Sequence, residues 1–482
     1  MTPAQDRFIH AVRMALGDKA VITDPADIDP WLHDWRGRYH GRSPAILAPA
    51  DTAGVATIVT LAGEHHVPLV PQGGNTSMVG GATPPDDGSA LVLSLRRMNR
   101  IRRLSAEENL VVAEAGVILA DLHAAALSAG RRFPLTLGSR GSATIGGLAA
   151  TNAGGTQVLR FGTMRALIAG VEAVLPDGQV HDGLSALKKD NRGYDLDHLL
   201  VGAEGTLGII TAVTLRLVPQ IAARAVAWVG LASPQDALTL LRRMEVTTQT
   251  IESFELLPHE SLAAVLRHIP GTRAPLGQDQ PWHVLIEAVA TDPAAEPPAV
   301  LLERLLAPAL ADGLVADAVI GASETQAEEF WRIRDSISAA ERASGPAAQH
   351  DISVPVAAMP RFMVEAAAAC DAAFPGTHAS GYGHLGDGNV HFHVRAAPGA
   401  DAAYWYAEDA PRVTRFVHDL VTAAGGSISA EHGIGQMKRA ELERLSPPAR
   451  LAALRAIRAA LDPQGLMNPG KLVTLAPVAP TP

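Results

Sequence analysis

A single cysteine, Cys370, stands among 482 residues. That scarcity excludes an internal disulfide and any cysteine-built metal or iron–sulfur site, and it suits a reducing compartment. Apolar runs are short as well, and none reaches the ~18–20 uncharged residues of a membrane span. The opening MTPAQDRFIHAVRMALG lacks the pattern of a signal peptide and reads as an amphipathic helix with Phe8, Val12 and Leu16 on one face. The expectation is a soluble cytoplasmic protein, with peripheral attachment to a membrane left open. Positive charge is in deficit too. The net charge is −10, and a phosphate backbone needs a basic field, so nucleic acid is not an expected partner. There is no internal repeat and no haem motif.

What is present is globular: 47% hydrophobic and 19% charged residues, at a length that calls for two or three domains. Residues 1–39 read as a helical segment. Residues 40–219 alternate strands such as HVPLVPQ, ALVLSL, NLVVAEAG and GIITAVTLRLVP with glycine-rich loops and brief helices. Residues 220–440 change rhythm: AVAWVGL, IESFELLP and WHVLIEAV are strands, with helices near 235–245, 297–311 and 324–343. An antiparallel sheet covered on one face is expected there. A C-terminal segment, 441–482, holds a helix with Leu451, Leu454, Ile457 and Leu461 at helical spacing, stopped by Pro463 and Gly465. The last residues, APVAPTP, read as a disordered tail. The class is α+β, without the long alternation of a doubly wound sheet.

Two motif matches fail on context. GYGHLG fits G-x-G-x-x-G but precedes no helix, and GLMNPGKL lacks the Ser or Thr of a P-loop and the room for its helix. A dispersed signal is stronger: PQGGNTSMVGG (71–81), PLTLGSRGSATIGGLAATNAGGT (134–156) and GAEGTLGII (202–210). Glycine lets backbone N–H groups close on a ligand, and successive N–H groups make anion-binding nests. Any one such segment is most simply a turn. Three in one domain, with Ser, Thr and Asn between the glycines, point to a large dinucleotide.

Together with RFGTMRALIAGVEAVLPDG, these segments resemble the FAD-binding domain of the vanillyl-alcohol oxidase type. Within it the chain is most similar to the D-2-hydroxyacid dehydrogenases, flavoproteins that oxidise D-lactate, D-2-hydroxyglutarate or glycolate. The resemblance runs from about residue 40 to 475. It implies a two-subdomain FAD-binding domain, an antiparallel-sheet substrate (cap) domain, and a C-terminal helical segment that returns to the flavin. Pro71, Gln72, Gly73, Gly74, Asn75 and Thr76 would wrap the FAD from the first loop. Pro134, Thr136, Gly138, Ser142, Ile145, Gly146 and Gly147 would do so from the second, with Asn152, Gly154 and Gly155. Glu204, Gly205, Gly208 and Ile210 would lie along the flavin edge, reached by Asn468 from the C-terminal segment. Some members tether FAD through a histidine of the first loop. None is present here, so the FAD is expected to be non-covalent.

GHLGDGNVHFH places His384 and His391 on either side of a turn-forming GDGN, so that both imidazoles can converge. A third ligand must come from elsewhere, and SISAEHGIG offers Glu431, followed at once by His432. Two histidines and a carboxylate form a catalytic ligand set with positions left open. Taken in isolation, histidines beside a turn are more often ordinary surface residues. The resemblance implies the sharper reading: His384, His391 and Glu431 hold a divalent metal, Zn or Mn, and His432 is the base. By the same resemblance Arg334, in WRIRDSIS, receives the substrate carboxylate, with Ser338 one turn later on that face. The plainer alternative pairs Arg334 with Glu328 or Asp335.

Two positions depart from the hydroxyglutarate pattern. Gln349 stands where those members carry lysine, and His393 where they tend to carry asparagine, making His393 a further substrate-binding residue. Loss of the lysine weakens the case for a second carboxylate on the substrate, while His393 either replaces the asparagine as a hydrogen-bond donor or reshapes the pocket near the metal. The expected function is flavin- and metal-dependent oxidation of a D-2-hydroxy acid to the 2-oxo acid. Electrons would pass to an electron-transfer flavoprotein, a quinone, a cytochrome or, less favourably, dioxygen. A homodimer is compatible with the sequence. The rival readings are a metal-dependent hydrolase with structural glycine loops, and a non-catalytic flavin subunit of a larger oxidase.

Overall fold

The computed structural model describes residues 1–475; the APVAPTP tail lies outside the described residues. The chain divides into two compact units, each assembled from separated stretches. Met1–Gly154, Thr163–Pro219 and Glu431–Pro482 make the first; Gly155–Gly162 and Gln220–Ala430 make the second. The expected cap thus ends at Ala430 rather than at 440, and it takes in eight residues from the middle of the segment expected to bind FAD. Arg160 pairs with Glu252 at 2.5 Å, and Ser253 donates to the carbonyl of Thr156 at 2.9 Å. Those two bonds hold the captured stretch to the strand Ile251–Pro258.

The first unit contains a four-stranded sheet in the order Val21–Ile22, Ile46–Leu47, Leu91–Ser94, Leu69–Gln72. The last three pair in parallel and are almost wholly buried, which is why they read as unbroken apolar runs. Two helices pack on each other and on this sheet. Pro3–Leu16 begins with a capping box between Thr2 and Gln5; Thr52–His65 is capped by Asp51 and ends on His66 at φ 51°. A second, antiparallel sheet runs Ile101–Ser105, Leu110–Glu114, Ile209–Arg216, Ile168–Val174, Val180–Asp182.

The C-terminal stretch completes the first sheet. Leu69 donates to the carbonyl of Leu466, Asn468 donates to that of Leu69, both at 2.9 Å, and Met467 is fully buried in the same core. The helix before it, Pro448–Leu461, corrects the expectation of a leucine stripe: its one buried residue is Arg458 and Ile457 is exposed. Arg458 turns inward because backbone carbonyls of Met467, Lys471 and Val473 accept its N–H groups at 2.7–2.9 Å. The guanidinium therefore tethers the segment that follows the helix.

The second unit is built on a seven-stranded antiparallel sheet. Its order is Asp317–Ile320, Ala223–Leu231, Trp282–Ala290, Ile251–Pro258, His378–His384, Asn389–Arg395, Ala347–Ser353. Helices cover both faces, not one. Ala225, Ala227 and Val229 point into a core with Leu241, Leu302, Phe362 and Val417, while Val226 and Trp228 between them meet Leu262, Phe330 and Ile337. The sheet is apolar on both faces over its first strands because both are buried. Among the described residues, no helix is long and apolar enough to cross a membrane.

Candidate functional site

In the first unit the glycine loops meet at distances that only glycine permits. A Cβ on Gly73 would lie 2.2 Å from Thr144 Oγ1, one on Gly74 2.0 Å from the carbonyl oxygen of Ser142, and one on Gly205 2.5 Å from Pro71 Cγ. The 71–77, 142–147 and 203–206 stretches are therefore packed on one another. Asn75, Asn152, Glu204 and Asn468 all have positive φ, between 42° and 55°. Such strained backbone at non-glycine residues gathers where a ligand is held. Gln72 Oε1, Thr144 Oγ1 and Asn468 Oδ1 are buried with no hydrogen-bond partner among the described residues. Neutral polar atoms awaiting partners, beside loops whose N–H groups are accessible through glycine, fit a dinucleotide held without basic side chains.

Not every residue expected at the cofactor presents its side chain that way. Asn152 spends its amide oxygen on Thr163 Oγ1 and the Arg165 N–H, each at 2.9 Å. The Glu204 carboxylate, expected along a flavin edge, accepts the N–H groups of Ile434 and Gly435 at 2.7 Å each. Burial pushes this carboxyl up, opposed by those two N–H groups and by Lys438 and Lys471. Asn468 donates to the carbonyls of Gly81 and Glu204 at 3.0 and 2.7 Å. Ile145 and Gly146 anchor the short helix Ile145–Thr151 on the carbonyls of Val117 and Ala115. Ile210 is a strand residue opposite Ala173. Gly155 belongs to the second unit. Pro134 is buried, whereas Gly138 is exposed with open space around it.

In the second unit GDGN is a hairpin turn. Asp387 accepts the N–H of Asn389 at 2.9 Å, and Gly388 takes φ 80°, where a Cβ would strike the Val354 carbonyl at 2.1 Å. The turn joins His378–His384 to Asn389–Arg395 with His384 opposite Asn389 and Tyr382 opposite His391. Because side chains alternate, Val390, Phe392 and Val394 enter the core while Asn389, His391, His393 and Arg395 take the other face. His384 and His391 are diagonal neighbours on that face, with ring centroids 5.6 Å apart and planes at 77°.

Three residues brace this face, and two were not anticipated. Glu255 lies opposite His384 in the next strand and accepts from its Nδ1 at 2.7 Å. Arg334, from the helix Glu324–Ala343, gives Nε and Nη2 to the same carboxylate at 2.8 and 2.7 Å. Its buried partner is thus Glu255, while Glu328 pairs with Arg224. Burial alone would push the Glu255 carboxyl up, but Arg334 and His384 outweigh it and hold it below the usual range. Asp351, opposite His391, accepts from Asn389 Nδ2 at 3.1 Å. Nothing local flagged Glu255, although a glutamate inside an apolar strand is itself a signal.

Gln349 and His393, the two departures, face each other directly across adjacent strands. His393 is buried, its Nδ1 has no hydrogen-bond partner among the described residues, and Glu341 lies 3.8 Å away, paired with Arg395 at 2.6 Å. Ser338 accepts from Arg342 at 2.9 Å. Glu431 and His432 follow Ala430 directly and open the last stretch of the first unit. In that stretch Gly433 (φ 80°) and Gly435 (φ 52°) leave room for the Glu204 carboxylate and the Val79 carbonyl.

Solved proteins share this architecture. A p-cresol methylhydroxylase with substrate bound superposes with TM-score 0.74 at 15% identity, covering 98% of this chain and 97% of that one. A 4-ethylphenol oxidase from Gulosibacter chungangensis gives 0.69 at 18%, over 99% and 98%. At such identity the likeness shows the fold, the vanillyl-alcohol oxidase type. Residues 43–183 match the FAD binding domain family and residues 221–472 the C-terminal domain of FAD linked oxidases. Fold and loops define a flavin-dependent oxidoreductase.

Closer relatives narrow the class. The chain is 35% identical over 460 residues to the mitochondrial D-2-hydroxyglutarate dehydrogenase of Arabidopsis thaliana, covering 95% of this chain and 80% of that protein. It is 35% identical over 467 residues to the D-2-hydroxyglutarate dehydrogenase of Xanthomonas citri pv. viticola, 97% of each. The chain belongs to their family, the FAD-dependent D-2-hydroxyacid dehydrogenases.

Proposed function

We propose that the protein oxidises a D-2-hydroxy acid to the 2-oxo acid at a site where His384, His391 and Glu431 hold a divalent metal and His432 is the base. The observation that carries this reading is the His384–His391 pair with Glu255 on Nδ1 of His384. A carboxylate on one ring nitrogen fixes the tautomer, so that Nε2, which faces Arg334 Nη2 at 3.2 Å, is the acceptor nitrogen that an ion would take, the usual support of a metal-bound imidazole. Bound FAD supplies the acceptor for the hydride equivalent leaving C2, and a bound divalent ion, Zn or Mn, supplies Lewis acidity at the hydroxyl and carboxylate oxygens.

The chain's own residues do the rest. His432 takes the hydroxyl proton, a task suited to imidazole near neutrality. Arg334 has Nε and Nη2 on Glu255, and its Nη1 is assigned to the substrate carboxylate. Glu255 thereby aligns a metal ligand and a substrate cation at once. Electrons then leave for another molecule, such as an electron-transfer flavoprotein, a quinone or a cytochrome.

The names of the relatives favour D-2-hydroxyglutarate as substrate. One observation favours a shorter acid such as D-lactate: the far end of the polar face pairs an amide, Gln349, with an imidazole, His393, and its Arg395 is already matched by Glu341. Anaerobic spectra decide. The flavin bands should bleach with one of these D-acids, not with its L-enantiomer, and resist bleaching after chelation. A protein that stays colourless when offered FAD would overturn the flavoenzyme. His432→Ala should keep FAD and metal bound yet abolish bleaching.

A further inference from the structure

Ahead of the first glycine loop, Asp29, His33 and His40 lie together in the first unit, far in sequence from the catalytic histidines. Asp29 opens the turn Asp29–Trp31, and His33 and His40 form an isolated antiparallel bridge. The six residues between them close on themselves. Asp34 accepts the N–H groups of Arg36 and Tyr39 through its carboxylate and donates its own N–H to Tyr39 O at 3.0 Å. Gly37, at φ 65°, donates to Asp34 O at 3.0 Å. Held this way, the two imidazoles stack with centroids 3.9 Å apart and planes 25° apart, and His33 Nε2 lies 3.5 Å from Asp29 Oδ1. One ligand atom from each of the three residues lies within 4.8 Å of the other two. Asp29 and His40 are exposed and His33 is half-buried, so an ion could enter from solvent and keep water in its remaining positions.

We infer that Asp29, His33 and His40 form a binding site for a divalent transition cation of the zinc class. Two imidazoles and one carboxylate are the nitrogen and oxygen donors such borderline ions select, and the Asp34-braced turn presents two of them on a fixed backbone.

The site is built onto the cofactor loop. Gln72 Nε2 donates to the carbonyl of Trp31 at 3.0 Å and Asn75 Nδ2 to that of His33 at 2.7 Å. Arg96 lies 4.2 Å over the Trp31 ring and reaches the carbonyls of Gly73 and Gly74 at 3.3 and 3.4 Å. A cation that ties His33 to His40 and Asp29 thus stiffens the strap to which residues 72–75 are fastened. By linkage, the cation and the FAD strengthen each other's binding; this coupling rests on the reading that the 71–77 loop holds FAD, whereas the site itself does not.

The test counts zinc on chelator-stripped protein by equilibrium dialysis against ZnCl₂, comparing wild type with His33→Asn/His40→Asn and with His391→Ala. The first variant should bind one zinc equivalent fewer than wild type while keeping the equivalent that His391→Ala loses, so that this site and the catalytic one fail separately. An unchanged zinc count in the first variant overturns the site. Should that variant be misfolded by circular dichroism, Asp29→Asn, an exposed substitution, replaces it and should weaken the same equivalent several-fold. Flavin fluorescence released on heating reads the coupling: zinc should delay release from wild type and not from the variant. Equal release in both overturns the coupling.

Discussion

Glu255 is a carboxylate in the middle of an apolar strand that Arg334 and His384 share. Replacing it with glutamine keeps the shape but withdraws the charge that fixes His384. Loss of such a supporting carboxylate typically lowers metal affinity about 10–100-fold, and Glu255→Gln should show that fall in a chelator competition, with FAD content unchanged. Its acid response follows from the depressed pKa. A carboxylate whose folded pKa lies below its ordinary 4.5 contributes stability that is complete above that value and is lost as pH falls through the folded one. Wild-type protein should therefore lose thermal stability below about pH 4.5, and Glu255→Gln should lose less over the same window. No local pattern announces this residue, because its partners lie 79 and 129 positions away. His384, His391 and the GDGN turn were legible for the opposite reason: the turn and the two imidazoles that flank it fall within eight residues. Arg458 hid differently, since a buried arginine on backbone carbonyls looks in sequence like a solvated one.

At the level of elements, the hairpin carrying both histidines has one face in the core and one in the site. Phe392 is fully buried between His391 and His393. Phe392→Ala should cost the second unit about 3–5 kcal/mol, readable in denaturant unfolding, and misplace the imidazoles on either side. The strand runs here were legible from their apolar patches, but not that helices would cover both faces, because that depends on which helices return to the sheet. The loop after Ala430 leans on one buried side chain, the Glu204 carboxylate, which accepts from Ile434 and Gly435. Glutamine in place of Glu204 has a single oxygen for two N–H donors, and leaving one of them buried and unmatched costs about 1–3 kcal/mol. Glu204→Gln should slow flavin reduction by substrate, since His432 is carried by that loop, without altering the unfolding of the second unit.

Over the whole molecule, neither unit is a continuous stretch of chain. Residues 1–219 contain every glycine loop but lack Leu466, Met467 and Asn468, which join the core and hydrogen-bond the strand Leu69–Gln72. A chain of residues 1–219 should fail to fold and to take up FAD, and co-expression with residues 431–475 should restore a yellow, soluble product. Retention of FAD by 1–219 alone would show that the C-terminal stretch is dispensable. The boundary at 219 is readable in the change of rhythm after GIITAVTLRLVP; the capture of Gly155–Gly162 is not, because it depends on Arg160 meeting Glu252 across 92 residues.

That threading sets a clock on the enzyme's birth. At about 5–20 residues per second, a ribosome spends roughly 10–40 s on residues 220–430 before the stretch that completes the first sheet can be made. Throughout that time Leu69–Gln72 waits with its outer edge bare, and the cofactor loop beside it has no finished sheet to rest on. A nascent chain arrested before Leu466 should therefore be colourless, however much of its second unit has already folded. Flavin capture should then come last, and a shortage of FAD would be felt by completed chains rather than by growing ones.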